Sequence, residues 1–597
     1  MCGILFYKNK NNLSAQSFKD CLSALSVIDH RGPDGEGGLL LNTKTGDYQQ
    51  VKLPKTPSEI NDVLPIQSID VTAYNVFLGH KRLSIIDLSP AGHQPMISQK
   101  DILIFNGEIY NYIEIKNELK ALGHFFNSDS DSEVLIAAYR QWGKDCLQKF
   151  NGMWAFVLWD GQAKEFFISN DRFGVKPLYL YENNAETILS SEIKQIKQFR
   201  EVDLKVNQEV CDLYLQFSEI GKDTKTLYNY INRFRPGHFA VYKQGVINQK
   251  SFYSIFDIQK QAITDKDAIE KFRYLIQDAT AIRTRSDVPW GVGLSGGLDS
   301  SIVLLKAMEA VKGSSMKPFT FSAVFPGEKN DESYFAERMA SEFDVERKLI
   351  NPLETFDKVS FDSHLYHQEL PPISTSFFAQ YKVAELVRRS GVTVNLVGQG
   401  ADEIFGGYHA HFYRYCRSLI LKGKIITYIK EVGHYADIKQ KTKMSIHKIV
   451  LGEVKVAFKF KMNLAKYNTQ YAKHWNNINF LTEFMKNEFS SFQLPYYLHS
   501  DDRTSMAFSV ETRHPFMDYR MVEFAYSLPE NLYIRDGWSK YLMREASPEL
   551  PDEIRWRKDK KGFVTPQDKI ISKLLGSLNT KDDSAFRHYC LDQVMGI

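Results

Sequence analysis

The sequence predicts two folded units in series. The first is an α+β unit of stacked, mostly antiparallel sheets with flanking helices; the second is an α/β unit with a parallel sheet and a largely helical C-terminal region. Three observations support this. A chain of 597 residues is too long for one hydrophobic core. Up to about residue 204, short β-like runs alternate with Gly, Pro and Asn turns, whereas from about 266 helical runs alternate with single buried strands. Finally, 43% apolar and 25% charged residues exclude a disordered chain.

Taken in order, the first unit (1–204) offers strand-like runs at Gly3-Ile-Leu-Phe-Tyr7, Asn75-Val-Phe-Leu78, Ile102-Leu-Ile-Phe105, Ala155-Phe-Val-Leu-Trp159 and Glu165-Phe-Phe-Ile168. Helical spacing appears at Ser17 to Ile28 and Ser132 to Trp142. Residues 205–265 are expected to link the units, with a turn and strand at Phe234-Arg-Pro-Gly-His-Phe-Ala-Val-Tyr242. In the second unit (266–597), Pro289 to Leu294, Phe319 to Phe325 and Val392 to Val397 read as buried parallel strands, with ligand chemistry expected at their ends.

One of those ends is Ser295-Gly296-Gly297-Leu-Asp299-Ser300, between the apolar run Val288 to Leu294 and the helix-like run Ile302 to Met308. A strand turning through two glycines into a helix presents bare N–H groups and a positive dipole end, a place for phosphate. Serine hydroxyls add donors, and Asp299 is suited to holding Mg²⁺ against phosphate. The spacing is not that of a Walker A loop. It resembles the pyrophosphate loop of enzymes that cut ATP between the α and β phosphates.

Bulk properties narrow the alternatives. Seventy-five Lys and Arg against 72 Asp and Glu give a net charge of +3, too balanced to imply a nucleic-acid partner. No apolar stretch is long enough for a membrane span and the N-terminus lacks a signal-peptide pattern, so a cytoplasmic protein is expected. The six cysteines are scattered without a C-x-x-C pair, and five read as buried thiols. Residues 411–475 carry fourteen Lys and Arg against three Asp and Glu, interleaved with aromatics as in Phe458-Lys-Phe-Lys-Met462. We read that segment as a solvated helical insertion rather than a membrane or nucleic-acid surface.

Cys2 is the exceptional cysteine. Removal of Met1 would leave a thiol and a free amine on one residue, nucleophile and base together. With Met1-Cys2-Gly3-Ile4, His30-Arg31-Gly32-Pro33-Asp34, Gly79-His80-Lys81-Arg82-Leu83-Ser84-Ile85, Asn106-Gly107-Glu108-Ile109-Tyr110-Asn111 and Ser130-Asp131-Ser132-Glu133, the chain resembles the class II glutamine amidotransferases, the N-terminal-nucleophile glutaminases. The resemblance implies glutamine as substrate. It places Arg82 against the α-carboxylate, Glu108 and Asp131 against the α-ammonium, and Leu83 and Ile85 among the glutamine-binding positions. Asn106 and the Gly107 N–H match the oxyanion hole.

Glutaminase and pyrophosphate loop on one chain resemble the glutamine-dependent asparagine synthetases. Further matching motifs are Asp331-Glu332-Ser333, Gly398-Gln399-Gly400-Ala401-Asp402-Glu403, Phe405-Gly-Gly-Tyr408, Asp502-Arg503-Thr-Ser505, Glu511-Thr-Arg513-His-Pro515, Lys540-Tyr-Leu-Met-Arg544 and Lys558-Asp-Lys560-Lys-Gly562. The implied reaction activates the aspartate β-carboxylate as an adenylate, which ammonia then cleaves. The resemblance implies an ATP site at Leu294, Ser295, Gly296, Gly297, Asp299, Ser300, Val397 and Gly398, a metal shared by Asp299 and Asp402, and Lys540 and Lys560 facing phosphate. Gln399 and Glu403 are carried over as acceptor-binding positions. Glu511 and Arg513 read equally well as an ion pair. Oligomeric state is left open, a homodimer included.

One residue departs from the pattern. Many asparagine synthetases carry an acid where this chain has Gln399, and a neutral amide cannot act as a base at neutral pH. That change suits either aspartate or another carboxylate, such as a uronic acid on a sugar nucleotide.

Overall fold

In the computed structural model, residues 2–221, 224–313, 316–329, 331–462, 480–491, 493–559, 564–576 and 583–596 are described, the side chains of 453–462 excepted. Met1 and Lys560 lie outside the described residues.

The N-terminal unit is a four-layer sandwich. One sheet has eight strands in the order Ile231–Arg233, Tyr179–Glu182, Glu186–Ser190, Gly3–Asn9, Val76–Arg82, Gly35–Leu41, Tyr48–Lys52, Val63–Pro65. The other has six: Lys250–Ser251, His238–Tyr242, Glu165–Asn170, Gly152–Asp160, Asp101–Ile109, Met96–Ser98. All pairings are antiparallel except that of Tyr48–Lys52 with Val63–Pro65.

Side-chain alternation explains the layering. Ile4 and Phe6 of the first strand meet Ile104, Val157 and Ile168 between the sheets. Leu5 and Tyr7 point the other way, towards Phe18, Cys21 and Leu25 of the helix Ala15–Ser26. The helices Tyr112–Ala121 and Asp131–Trp142 cover the six-stranded sheet through Ile115, Leu119, Val134 and Leu135. Strands within 205–265 complete both sheets, because Ile231–Arg233 pairs with Tyr179–Glu182 and His238–Tyr242 pairs with Glu165–Asn170.

The second unit is built on five parallel strands in the order Arg347–Ile350, Phe319–Ala323, Trp290–Gly293, Val394–Leu396, Glu511–Arg513. Helices Asp265–Arg283, Leu298–Ala310, Ser333–Glu342 and Ser376–Arg389 flank it, and helices follow from residue 401 onward. Its order reverses beside the central strand Trp290–Gly293, so the loops after Trp290–Gly293 and Val394–Leu396 open onto a common crevice. All six cysteines are buried and unbridged, as expected for the five distant from the N-terminus.

Candidate active sites

The first site lies where Gly3–Asn9, Val76–Arg82 and Asp101–Ile109 end together. Cys2, Arg82, Leu83, Ile85, Gly107, Glu108 and Asp131 line one cleft. The Cys2 N–H donates to Asn106 Oδ1 at 3.0 Å, which leaves the buried Asn106 Nδ2 without a partner. The chain passes so close to the neighbouring strand at Gly107 that a Cβ there would lie 2.1 Å from the Met153 carbonyl oxygen. Burial pushes the Cys2 thiol above its ordinary pKa, opposed in part by the Arg82 guanidinium.

Arg82 donates to the carbonyls of Ser89 (2.7 Å) and Asp87, and Gly92 makes room for it, since a Cβ there would come 2.1 Å from Arg82 Nη2. Two carboxylates face the same space. Asp131, first residue of its helix, accepts from the Ile109 N–H at 2.9 Å. Burial raises it to about 6, and raises Glu108 well above the carboxylate range. Glu108 Oε2 is buried without a partner, while Oε1 lies 3.6 Å from Arg513 Nη2. Acids with raised pKa values in one cleft favour a cation between them.

The second site is the crevice of the parallel sheet. Gly296 has φ +71° and backs onto the Ala336 N–H, which a Cβ would approach to 2.4 Å. The loop is tied to its own helix: Ser300 Oγ donates to the Gly297 carbonyl at 3.2 Å and accepts from the Ser295 N–H at 3.2 Å. From the next strand, Gly398 packs against Asp299 and Ser300, and a Cβ there would fall 2.9 Å from the Ser300 nitrogen.

Lys540 joins the two loops. Its Nζ donates to both Asp299 oxygens at 2.7 Å and lies 2.5 Å from Asp402 Oδ1. Asp299 and Asp402 therefore converge on one cationic point, and an all-oxygen donor pair fits a hard dication such as magnesium. The surrounding cavity measures about 390 Å³ and is lined by Leu294, Ser295, Asp299, Ser300, Val397, Gly398 and Gln399, with Tyr408 and Tyr497 beyond. Gly296 and Gly297 shape the turn instead of lining the cavity. Gln399 Nε2 donates to Glu403 Oε1 at 3.3 Å, and so does the Tyr408 hydroxyl at 2.7 Å. Glu403 is thus held behind Gln399, 1% exposed, and burial raises it to about 8.

Between the sites lies a buried ion network that motif matching quoted but gave no role. Arg31 Nε donates to the Cys2 carbonyl at 2.9 Å, and its other nitrogens reach Glu192 at 2.9 Å and both Asp502 oxygens at 2.8 and 3.0 Å. Arg503 binds Glu192 at 3.2 Å and Glu369 at 3.0 Å. The helix Gln493–Met506 thereby turns Asp502 and Arg503 to the first unit, while Asp501, Thr504 and Ser505 line the cavity of the second. Arg513 and Glu511 do form an ion pair, at 2.6 Å and fully buried. A fully buried Arg is rarely without an acid, so Arg31 and Asp502 were open to pairing by charge, though not by sequence distance.

Fold and sites together define a glutamine amidotransferase joined to an ATP-using synthetase. Residues 64–253 match the glutamine amidotransferase domain family, and residues 271–588 match the asparagine synthase family. The chain belongs to the asparagine synthase family, and it is an ATP-dependent carbon–nitrogen ligase that draws on glutamine. It is 30% identical to asparagine synthetase (glutamine-hydrolyzing) 1 of Bacillus subtilis (strain 168), over 95% of this chain and 87% of that one. Identity to asparagine synthetase (glutamine-hydrolyzing) 3 of the same organism is 26%, over 91% of this chain and 90% of the relative. It is 25% for amidase chry2 of Gibberella zeae, over 96% and 90%. Among the described residues, no helix is long and apolar enough to cross a membrane.

Proposed function

We propose that the chain forms L-asparagine from L-aspartate, ATP and glutamine, yielding glutamate, AMP and diphosphate. The observation that carries this reading is the pairing of a Cys2 cleft with a lysine-bridged carboxylate pair, back to back across one buried ion network.

In the first half-reaction, loss of Met1 makes the Cys2 nitrogen an amine that takes the thiol proton. Asn106 Oδ1 holds that nitrogen, leaving Asn106 Nδ2 and the Gly107 N–H to stabilise the oxyanion as sulfur attacks the amide carbon. Arg82 takes the α-carboxylate, and Glu108 and Asp131 share the α-ammonium. Ammonia leaves, and water clears the thioester.

In the second half-reaction, the Ser295 to Ser300 loop binds the β and γ phosphates as the acceptor carboxylate attacks the α-phosphorus. Asp299 and Asp402 would hold magnesium, which supplies positive charge against the triphosphate. Lys540 then moves to phosphate, with Lys560 a further cation. Ammonia, shielded from bulk water, must reach the acyl adenylate, where it displaces AMP.

A second reading changes only the acceptor. The cavity wall offers Gln399 and two tyrosines. Those groups can hydrogen-bond the ring hydroxyls of a uronic acid on a sugar nucleotide, whose carboxylate would be the group activated. Purified protein with ATP, glutamine and radiolabelled aspartate separates the two. Labelled asparagine supports the first; its absence with intact glutaminase supports the second.

A further inference from the structure

The basic segment 411–475 has a property that charge counting did not reveal. Its helices Ile425–Lys439 and Lys443–Met462 bury Tyr428, Val432, Tyr435, Ile446 and Val450 in the main core of the second unit. Further apolar side chains beside these buried faces are exposed. Ile425, Ile426 and Ile429 form a stripe on the first helix, and Met444 and Leu451 share a face of the second, with Ile426 74% and Met444 65% exposed. Lysines border them: Lys424, Lys430, Lys441, Lys443 and Lys448 are all exposed, against Asp437 as the one exposed acid of residues 421–452.

A stripe of neighbouring exposed aliphatic side chains rimmed by polar groups is the kind of surface that marks an interaction site. The chemistry selects the partner. Nucleic acid is gripped by stacking, yet Tyr428 and Tyr435 are buried and the exposed side chains of the stripe are aliphatic. Protein interfaces are depleted in lysine. Aliphatic side chains entering an acyl boundary, with lysines reaching anionic headgroups, match both features at once.

We propose that the exposed stripe Ile425, Ile426 and Ile429 and its lysines, with Met444 and Leu451 of the next helix, docks on an anionic lipid surface without crossing it. Docking would set the synthetase end of the molecule against the membrane. The helix Ile425–Lys439 is tied to that end: Glu431 accepts from the Asp536 and Gly537 N–H groups at 3.1 and 2.8 Å, and Lys439 donates to the Lys558 carbonyl at 2.8 Å. This surface is independent of which acceptor is amidated.

Co-sedimentation of the full chain with phosphatidylglycerol–phosphatidylcholine vesicles and with phosphatidylcholine vesicles, at low and high salt, tests it. Binding is expected to the anionic vesicles only and to weaken with salt. Ile426→Asp with Ile429→Asp should abolish it, and Lys424→Glu with Lys430→Glu should reduce it by about tenfold or more. Glutamine hydrolysis and ATP-dependent diphosphate release should remain unchanged in both variants, and the second activity reports a folded synthetase unit. Equal binding to both vesicles, no binding to either, binding that both variants retain, or retention on RNA in place of vesicles would each overturn the proposal.

Discussion

Asp502→Asn removes one charge from the network behind the nucleophile while preserving shape. The wild-type carboxylate receives two charge-assisted bonds from Arg31 at 2.8 and 3.0 Å, and both side chains are almost wholly buried. Breaking one side of such a pair costs about 3–5 kcal/mol, because the remaining charge stays buried. At about 2.1 cal/mol/K per residue a unit or chain of this size shifts by roughly 0.8–1.5 °C per kcal/mol, so the melting temperature should fall by roughly 2–7 °C. Arg31→Met should fall comparably, whereas the double variant Arg31→Met with Asp502→Asn should lose less than the sum of the two. Scanning fluorimetry at fixed protein concentration measures all four proteins. Burial tends to raise the Asp502 pKa, but Arg31 outweighs it and the net shift is downward from 3.8. The pair's stabilisation is therefore present above that ordinary value and is lost as pH falls through the lower folded value. A shift for Asp502→Asn below about 1 °C at neutral pH, the scale of a surface pair, would refute the reasoning.

Three further outcomes follow from the site geometry. Gly407→Ala would place a Cβ 1.8 Å from Asp402 Oδ1 and 2.3 Å from Lys540 Cε, so ATP-dependent pyrophosphate release should fall by at least about a hundredfold, while glutamine hydrolysis persists. With Asp131 raised to about 6, the KM for glutamine should rise as pH drops below that value, because the protonated acid no longer attracts the α-ammonium; a flat KM between pH 5 and pH 8 would assign that acid another role. Intact mass of active protein should show loss of Met1, and normal glutamine turnover with Met1 present would exclude the amine as base.

Much of the architecture was legible because local patterns agreed with the tertiary result. The alternation in Gly3 to Tyr7 reappears as the two faces of Gly3–Asn9, and the apolar runs 289–294 and 392–397 became neighbouring parallel strands. Ends shifted by a residue or more, as where Asp131 joins the helix read from Ser132. Motifs brought Cys2, Arg82, Glu108 and Asp131 to one cleft, because each sits at the end of a strand or the start of a helix. Sequence gave no pairing for Arg31, since its partner lies 471 residues away. Nor did it show that Lys540 bridges Asp299 and Asp402, or that Glu403 stands behind Gln399. Those facts depend on how loops from different strands meet. The apolar stripe of 425–429 was hidden by its lysines.

The account turns on nitrogen moving from glutamine at Cys2 to an ATP-activated carboxylate at the Ser295 to Ser300 loop. Supplying amide-¹⁵N glutamine, ATP and aspartate in excess unlabelled ammonium, and following ¹⁵N by mass spectrometry with diphosphate release, tests it most directly. The account predicts ¹⁵N asparagine, its label undiluted by the ammonium, formed one for one with diphosphate, and no ¹⁵N transfer by Cys2→Ala. Undiminished ¹⁵N transfer by Cys2→Ala, or label diluted to the level of the bulk ammonium, would contradict it.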